Sequence, residues 1–287
     1  MSDFRCRRAN FYTCISRTYR ASIPQRCDAM AIRRDPFSPC TAIPTPPAAA
    51  VGELCRKLDR DNACILPGEW AQSLLLSRNP RSLSDWDAFQ QSWSRMPLDG
   101  FMNDGGRYRR RRFSTLRACA SSYTFNVNPP QAHYQHLQHN WLNGGFPRFF
   151  APVRDEILYS QTMNGLLELG AEVFGHLSPD DDWHVEVHQF RITAEGTASA
   201  SPTPEGRHRD GVRFVMMVLV RRENVSGGTT ILYDLDDQRQ AEVTLGDPLD
   251  LVLVNDERVR HEVTPLAQAD PHLPGLRDVL VVTFSSG

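Results

Sequence analysis

The order of apolar and polar positions divides the chain into a first part with helical periodicity and a second part of short, closely spaced segments. Apolar residues recur at helical spacing over residues 51–60, 81–95 and 153–176, which predicts three amphipathic helices. Ser82 or Ser84 is suited to cap the start of the second helix. The third and longest pattern carries an apolar stripe made of Ile157, Met163, Leu166, Leu167, Leu169 and Val173.

The pattern changes after residue 179. Alternation over residues 184–192 and a continuous apolar run over 212–220 predict two β-strands. Further short strands are predicted at 229–233, 249–254, 259–263 and 279–284. Glycine, proline and asparagine turn signals separate these strands. Helices followed by closely spaced short strands predict an α+β chain whose core is a β-sandwich or a jelly-roll barrel.

Residues 1–48 have no sustained apolar period and are rich in Arg, Ser, Pro and Cys. This composition predicts either a disordered tail or an extension upstream of a start at Met30. Its Arg-rich, acid-poor character superficially resembles a transit peptide, but the segment has no apolar signal core. We therefore expect a single domain over residues 49–287, helical up to about residue 178 and with the jelly-roll core over 182–285.

Composition and charge narrow the functional classes. The formal net charge is -2, so the chain as a whole is not built to bind nucleic acid. No apolar run approaches the roughly 20 residues needed to cross a bilayer, so we expect no membrane partner. The 7 cysteines have irregular spacing and form no C-x-x-C pair. This argues against a disulfide framework and predicts a reduced, cytoplasmic setting.

Two histidines and one aspartate have a spacing typical of a metal site. His208 and Asp210 lie just before the predicted strand 212–220, and their spacing puts both side chains on one face of an extended segment. His261 lies in a second predicted strand, which can bring its imidazole to the same place. Two imidazoles and a carboxylate can hold iron(II) while leaving positions open for oxygen and a chelating co-substrate. The alternative is a surface loop in which H-x-D occurs by chance.

An arginine follows these residues at a suitable interval. Arg277 lies 16 residues after His261, at the start of the last predicted strand. A guanidinium binds a carboxylate through a forked pair of charged hydrogen bonds, so we expect Arg277 to bind the distal carboxylate of 2-oxoglutarate. Thr283 or Thr264 is a candidate to add a hydroxyl to the same anion. The alternative is a solvated arginine paired with Asp278.

The predicted strand that begins at His184 is polar for a core strand. His184, Glu186 and His188 share one face, whereas Gln189 and Arg191 share the other. One of the two sets is expected to line a cavity. Gln189 and Arg191 are our candidates for contacts to the substrate or co-substrate, and the alternative is a solvated sheet face.

The densest charge run is Arg107–Arg112, with the sequence RYRRRR. Such a run is typical of a nucleic-acid patch, but the net charge and the lack of a wider basic surface argue against one. We expect instead a local salt-bridged segment, or one arginine that reaches an anionic substrate. Arg112 is the candidate for that contact.

Several segments together resemble a known enzyme family, the bacterial iron(II)/2-oxoglutarate dioxygenases that hydroxylate free L-amino acids, of which L-isoleucine dioxygenase is the best-known type. The resemblance covers roughly residues 90–285. The segments that carry it are Pro97–Arg112, Arg207–Val212 (RHRDGV), Asn224–Thr229 (NVSGGT), Arg258–Pro265 (RVRHEVTP) and Arg277–Phe284 (RDVLVVTF).

The resemblance implies a double-stranded β-helix, a cupin-like jelly roll, with flanking N-terminal helices. It implies Fe(II) held by His208, Asp210 and His261, 2-oxoglutarate held by Arg277, O2 as the oxidant, and ascorbate as an in vitro reductant. Many relatives place a serine two residues after that arginine, where this chain has Val279. The implied reaction hydroxylates an unactivated C–H bond of a small-molecule substrate, a free L-amino acid, and releases succinate and CO2.

Three other functions remain open on the sequence. The same chemistry can act on a carrier-bound amino acid, a peptide or a natural-product scaffold. A non-catalytic cupin-like binding module can use the same cavity without redox chemistry. A zinc hydrolase can also use a His, Asp and His set, with Glu262 as its general base.

Overall fold

The computed structural model describes residues 47–119, 124–179, 182–196 and 200–287. The prediction for residues 1–48 therefore lies outside the described residues, apart from its last two positions. The described residues belong to one compact unit. Among them, no helix combines the length and the apolar character needed to span a membrane.

Helices come from two parts of the chain and strands from all along it. The helices are α1 (Pro47–Asp61), α2 (Gly68–Arg78), α3 (Trp86–Gln91), which continues into a 3-10 turn (Ser92–Arg95), α4 (Asp155–Leu158) and α5 (Gln161–Leu177). The strands are β1 (Ala63–Leu66), β2 (Arg109–Cys119), β3 (Thr124–Val127), β4 (Trp183–Ala194), β5 (Phe214–Glu223), β6 (Val225–Gly227), β7 (Thr229–Tyr233), β8 (Arg239–Thr244), β9 (Leu251–Asn255), β10 (Arg260–Val263), β11 (Leu266–Gln268) and β12 (Gly275–Ser286).

Two antiparallel sheets form the jelly-roll core. Within the described residues, seven strands make the larger sheet in the order β1-β9-β5-β12-β4-β2-β3, and three make the smaller sheet in the order β10-β7-β8. The short strands β6 and β11 pair with each other. The smaller sheet packs against part of the larger one through a core that includes Val215, Leu232 and Val254. The predicted α+β class and jelly-roll core are therefore confirmed.

The helices cover the outer face of the larger sheet. Met163, Leu166 and Phe174 of α5 share one buried cluster with the sheet residues Val282 and Phe284. Because side chains alternate along a strand, the intervening residues of β12 face the opposite side, toward the smaller sheet and a cavity. The helical layer thus decides which half of each strand is available for chemistry.

The pattern-based predictions match most of the second half of the chain. The strands expected at 184–192 and 229–233 correspond to β4 and β7. The expected helix over 153–176 is interrupted between α4 and α5, where the buried Ser160 caps α5 by accepting a hydrogen bond from the Met163 backbone N–H. The helix expected from residue 81 begins only at Trp86, and the Ser82 hydroxyl donates to the Leu75 carbonyl instead of capping it.

The expectation of a helical segment up to residue 178 is incomplete. The strands β1, β2 and β3 come from this part of the chain, and β2 pairs along its length with β4. The residues of β2 begin with four arginines, Arg109–Arg112, so the strand has no apolar alternation at its start. Buried and exposed arginines alternate at the start of this strand. A search for alternating apolar residues does not detect such a strand.

The start of α5 is held by a carboxylate from another part of the chain. Asp85 accepts hydrogen bonds from the backbone N–H groups of Gln161 and Thr162, at 2.6 and 3.0 Å, and from the Thr162 hydroxyl at 2.6 Å. Partial burial tends to raise the pKa of Asp85, but these hydrogen bonds outweigh it and lower the pKa below its ordinary value. The contact therefore caps α5 and links it to the segment before α3.

We expect Asp85→Ala to destabilise the protein by about 1–3 kcal/mol, because it leaves helix N–H groups without an acceptor. Denaturant unfolding at pH 7 measures this, with the exposed Asp59→Ala as the control that changes stability by less than about 0.5 kcal/mol. The lowered pKa makes the contribution complete above the ordinary pKa of an aspartate. This stabilisation is lost as the pH falls through the folded-state pKa of Asp85. Equal losses of stability in Asp85→Ala and Asp59→Ala would contradict the assignment.

Candidate metal centre and its cavity

A cavity of about 380 Å³ lies between the inner face of the larger sheet, the smaller sheet and the segment that follows β3. Its wall combines apolar, histidine and arginine side chains. The inward residues of β4 and β12 that line it are His184, Glu186, His188, Phe190, Ile192, Arg277, Val279, Val281, Thr283 and Ser285. The cavity is thus bounded on one side by a single face of two neighbouring strands.

His208, Asp210 and His261 meet in the wall of this cavity. The His208 Nε2 atom lies 3.5 Å from Asp210 Oδ1, and the His261 Nε2 atom lies 3.7 Å from Asp210 Oδ2. The two imidazole centroids are 4.5 Å apart. One ligand atom from each residue lies within 4.8 Å of the other two. The structure therefore brings together all three residues that the sequence predicted as metal ligands.

Backbone pairing sets this arrangement. His208 and His261 form an isolated antiparallel bridge in which each backbone N–H donates to the other residue's carbonyl, at 3.0 and 2.8 Å. The fully buried Asp256 accepts the backbone N–H groups of Asp210, Gly211 and Val212 at 2.9–3.2 Å. Gly211 has a φ of +81°, where a Cβ would also lie 2.6 Å from the His139 ring. Glycine at this position lets the chain turn beside the ligands.

The tautomer of His208 suits a metal ligand. Its Nδ1 donates to the Gly206 carbonyl at 2.8 Å, which leaves the Nε2 lone pair facing Asp210 and His261. The Nδ1 atom of His261 is buried without a hydrogen-bond partner in the described residues, 3.9 Å from Asp256 Oδ1. Two imidazoles and one carboxylate form the donor set that iron(II) takes with open positions. The three residues fit such an ion.

The electrostatics of the three residues favour a cation between them. Burial and then the neighbouring His208 lower the pKa of His261 to about 4. Burial also acts against protonation of His208, but the Asp210 carboxylate outweighs it and raises the pKa of His208 to about 9. The pKa of Asp210 lies well below its ordinary value, because the histidines outweigh burial. A metal cation can supply the positive charge beside Asp210 while both rings remain neutral.

Arg277 lies in the same cavity and is suited to bind an anion. The residue is 4% exposed, and its Nε atom has no hydrogen-bond partner in the described residues. Burial, and then the charge of Arg222, lowers the pKa of Arg277 to about 10, so the group stays protonated at neutral pH. The hydroxyl of Thr283 also lines the cavity and lacks a partner among the described residues. Arg277 and Thr283 fit a carboxylate co-substrate.

Thr264 does not line the cavity. Its hydroxyl oxygen accepts the backbone N–H of Thr229 at 2.9 Å and closes the turn before β7. The expectation that Thr264 binds the co-substrate is therefore not supported by its position. Val279, which lies two residues after Arg277, does face the cavity, but its side chain offers no hydrogen bond. Glu262, considered above as the general base of a hydrolase, does not line the cavity. Its carboxylate accepts a hydrogen bond from the Tyr233 hydroxyl.

The choice of Gln189 and Arg191 as substrate contacts selected the wrong face of β4. The side-chain amide of Gln189 donates to the Ser92 hydroxyl at 2.8 Å on the helical side of the sheet. Arg191 forms a forked ion pair with Asp278, at 2.7 and 2.6 Å. Neither residue lines the cavity, because the helical layer covers their face. The opposite set, which begins at His184, lines the cavity instead.

Arg112 also lies outside the cavity. Its guanidinium donates to the carbonyls of Pro152 and Arg95, at 2.7 and 3.4 Å. Residues of β2 alternate, so Arg109 and Arg111 point inward while Arg110 and Arg112 point outward. The structure thus places Arg109 and Arg111, and not Arg112, in the cavity wall. Alternation within RYRRRR separates the two sets but does not by itself say which set faces the cavity.

Sequence reasoning missed a group of polar residues that line the cavity away from the metal ligands, on β2 and on irregular segments. Arg111 and Arg148 are almost fully buried there, and each has an Nε atom without a partner in the described residues. The other missed polar residues are Arg109, His133, Gln135, Asn140 and Glu205. Most come from the irregular segment after β3, which gives no periodic signal. Their positions were accessible only from the folded chain.

A second cluster lies beside Arg111. Ligand atoms of His133, Glu186 and His188 lie within 4.8 Å of one another. However, Arg111 Nη2 donates to His188 Nδ1 at 2.8 Å, so the hydrogen of that neutral ring is on Nε2, which faces Glu186 at 3.4 Å. The His133 Nδ1 atom approaches the same carboxylate at 3.3 Å. Glu186 is therefore an acceptor for ring N–H groups, and the cluster holds Arg111 in place.

Comparisons with known proteins agree with this geometry. The family model described as 2OG-Fe dioxygenase matches residues 90–283. The solved structure of a BsmA homologue from Methylobium petroleophilum PM1 is 33% identical and superposes with a TM-score of 0.73. That match covers 85% of this chain and 95% of the other.

Two curated proteins are more distant relatives. The bifunctional enzyme flvA of Aspergillus flavus is 22% identical over 263 residues, which cover 81% of this chain and 31% of flvA. The chain therefore spans about a third of the length of that enzyme. The 3(1)-hydroxy-L-isoleucine 4-dioxygenase of Pantoea ananatis is 21% identical over 239 residues, which cover 81% of this chain and 95% of that enzyme.

Proposed function

Since the chain belongs to the 2OG-Fe dioxygenase family, we propose that it hydroxylates an unactivated C–H bond of a free L-amino acid and releases succinate and CO2. Membership makes the protein a 2-oxoglutarate-dependent dioxygenase whose cofactors are Fe(II), 2-oxoglutarate and O2. Its substrate is a small molecule. We assign this activity to a single domain over residues 49–287.

The observation that carries the proposal is the presence, in one cavity, of a metal-ligand set and a buried arginine whose Nε atom has no partner among the described residues. We assign Fe(II) to His208, Asp210 and His261, whose ligand atoms lie within 4.8 Å of one another. We assign the distal carboxylate of 2-oxoglutarate to Arg277, with the Thr283 hydroxyl as a second donor. Both sites are largely buried, which strengthens the charged contacts.

When bound, Fe(II) and 2-oxoglutarate supply the oxidising chemistry that inserts one oxygen atom of O2 into the substrate, while the other oxygen leaves in succinate. The side chains of the protein hold the metal ligands in position and exclude water from the cavity. Asp256 holds the backbone of Asp210 to Val212, so the ligand carboxylate keeps one orientation. The apolar side chains of Val215, Met217 and Val281 line the cavity and keep water from the reacting bond.

Two observations support a free amino acid as the substrate. The relative from Pantoea ananatis is named for a hydroxylated L-isoleucine, and it matches this chain over 95% of its own length. The cavity of about 380 Å³ has the size of a small-molecule site and offers charged groups of both signs, such as Arg148 and Glu205. An amino acid carries both opposite charges in a compact molecule.

Aerobic incubation with Fe(II), ascorbate, 2-oxoglutarate and a pool of free L-amino acids, read by mass spectrometry, tests the proposal. We expect one amino acid to gain one oxygen atom, together with an equal amount of succinate. Succinate without an oxidised amino acid contradicts the substrate class and favours a carrier-bound, peptide or natural-product substrate. A protein that does not bind 2-oxoglutarate in the presence of Fe(II) favours a non-catalytic module.

We expect Arg277→Gln to raise the 2-oxoglutarate concentration needed for half-maximal turnover roughly 100-fold, because a forked pair of charged hydrogen bonds is lost. Succinate formation over a series of 2-oxoglutarate concentrations measures this change. The control is Arg110→Gln, an exposed arginine on the outward face of β2. A similar 2-oxoglutarate requirement in the Arg277 variant and in the control would mean that another residue binds the distal carboxylate.

A further inference from the structure

We propose that Arg111 and Arg148 form the subsite for a free carboxylate of the substrate, and that Glu205 receives the substrate's ammonium group. This inference rests on the proposed function and adds to it the residues that select the substrate. It requires the substrate to be a zwitterion with a free carboxylate, and not an amide or a thioester.

Arg111 is a buried cation without a direct ion pair among the described residues, and the carboxylates of Asp99 and Glu186 act on it only from a longer distance. It is 4% exposed, and its guanidinium contacts the His188 ring nitrogen at 2.8 Å and the rings of Phe150 and Phe190, whose centroids lie 4.1 and 4.7 Å from Cζ. Its Nε atom has no partner in the described residues. Burial, followed by the charges of Arg148 and Arg109, lowers the pKa of Arg111 to about 9, so it remains charged at neutral pH.

Arg148 is a second buried cation on the same aromatic ring. It is 1% exposed, and its Cζ atom lies 5.9 Å from the Phe150 centroid. Its only side-chain hydrogen bond in the described residues is a long one, 3.4 Å, from Nη2 to the Gln135 side-chain oxygen. The Nε atom again has no partner there. Two buried guanidinium groups with unused donors that line one cavity are suited to bind an anion.

The remaining arginines of the cavity are already occupied. Arg109 forms a buried ion pair with Asp99 at 2.8 Å. Arg277 is assigned to the co-substrate and lies on β12, whereas Arg111 lies on β2, with β4 between these two strands. A dicarboxylate on Arg277 therefore leaves Arg111 and Arg148 for a different anion. The cavity thus contains a second site for negative charge.

The carboxylate that binds the ammonium group is identified in the same way, by excluding the carboxylates that already have partners. Among the described residues, the carboxylates that line the cavity are Glu186, Glu205 and Asp210. Asp210 is assigned to the metal, and Glu186 accepts ring N–H groups from His133 and His188. The Glu205 side chain is 7% exposed, and its Oε2 atom has no partner in the described residues. Glu205 lines the same cavity as Arg148 and Arg111.

These positions place an ammonium acceptor close to the metal ligands, since Glu205 Oε1 lies 3.6 Å from His208 Nε2. A substrate bridging from Glu205 to Arg148 and Arg111 therefore lies beside the metal centre. A carrier thioester or a peptide amide has no charge to offer the two arginines. Such substrates would leave both guanidinium groups buried without a carboxylate in direct contact, which is costly.

Equilibrium binding under anaerobic conditions tests the subsite without turnover. Protein loaded with Fe(II) and 2-oxoglutarate is titrated calorimetrically with each free L-amino acid, the matching carboxamide and the matching N-acetyl derivative. We expect at least one free amino acid to bind, with its amide and its N-acetyl form each at least about 10-fold weaker. Equal affinity for the acid and the amide overturns the carboxylate subsite. Equal affinity for the N-acetyl form overturns the role of Glu205.

Variants test which residues bind the carboxylate and which residue binds the ammonium group of the substrate. Arg111→Gln and Arg148→Gln are expected to weaken binding of the free acid by about 10- to 100-fold and to leave binding of the amide nearly unchanged. Glu205→Gln is expected to weaken the free acid but not the N-acetyl form. Arg110→Gln, an outward arginine of the same strand, serves as the matched control. Wild-type affinity in both arginine variants overturns the assignment.

The test separates this inference from the proposed function. Failure of the Fe(II)-loaded wild-type protein to bind 2-oxoglutarate, measured by a separate anaerobic titration with 2-oxoglutarate, would contradict the proposed function. Intact 2-oxoglutarate binding without binding of any free amino acid would overturn the subsite alone. If a glutamine variant does not fold, as judged by its melting curve, the comparison of acid and amide on the wild-type protein still decides the outcome.

Discussion

Replacing His208 or His261 with alanine is expected to abolish the formation of succinate. Each change removes one of the three donors that meet in the cavity wall, and the ligand atoms of the other two cannot surround the ion alone. We expect the affinity for Fe(II) to fall by more than the roughly 10–100-fold that changes to outer-shell partners produce. The backbone bridge between the two residues does not involve their side chains, so the fold is expected to survive.

Two measurements check this expectation, namely succinate formation and metal content after dialysis against a fixed Fe(II) concentration. His272→Ala is the control, because His272 is exposed and lies outside the cavity. The control is expected to retain wild-type turnover and metal content. If both cavity variants bound Fe(II) and formed succinate as the wild type does, the assignment of the metal ligands would be wrong.

Arg191→Met is expected to destabilise the protein by about 3–5 kcal/mol, the usual cost of leaving a buried charge without its partner. The partner is Asp278, which is fully buried and accepts two hydrogen bonds from the guanidinium. Burial raises the pKa of Asp278 above its ordinary value despite Arg191, so loss of that arginine leaves little to stabilise the ionised carboxylate. Because Arg191 lies outside the cavity, we expect unchanged affinity for substrate and 2-oxoglutarate in the folded fraction.

Denaturant unfolding combined with ligand titration distinguishes this structural role from the substrate contact that the sequence suggested. The double variant Arg191→Met with Asp278→Leu is expected to recover most of the lost stability, because it removes both charges. Arg56→Met is the control, because its ion pair with Glu53 is exposed and lies on α1. A change in substrate affinity without a loss of stability in Arg191→Met would restore the original prediction.

The metal-ligand set was accessible from the sequence because its geometry is largely local. His208 and Asp210 are two residues apart, and an extended backbone puts such positions on one face. His261 lies in a short strand whose alternation was visible, so only the pairing of the two segments was left to the fold. The same reasoning applied to Arg277, at the start of the apolar strand β12.

The substrate side of the cavity was not accessible in this way. Alternation along β4 separated the set with His188 from the set with Arg191, but alternation alone does not say which set faces a cavity. The helical layer decided this, because α5 and its neighbours cover the Arg191 face. Register with β12 then placed Asp278 opposite Arg191, which uses the arginine for structure.

Local sequence was sufficient to predict the periodicity of the main strands after residue 182 and the spacing of the metal ligands, since these depend on neighbouring residues. Which face of each strand points inward, and which charges remain without a direct partner, depended on the packed fold. Arg148 and Glu205 come from irregular segments far apart in the chain, and both reach the cavity only because those segments pack across it. Charge pairing in a buried site depends on distances between distant segments, and these distances are fixed only by the packing of the complete fold.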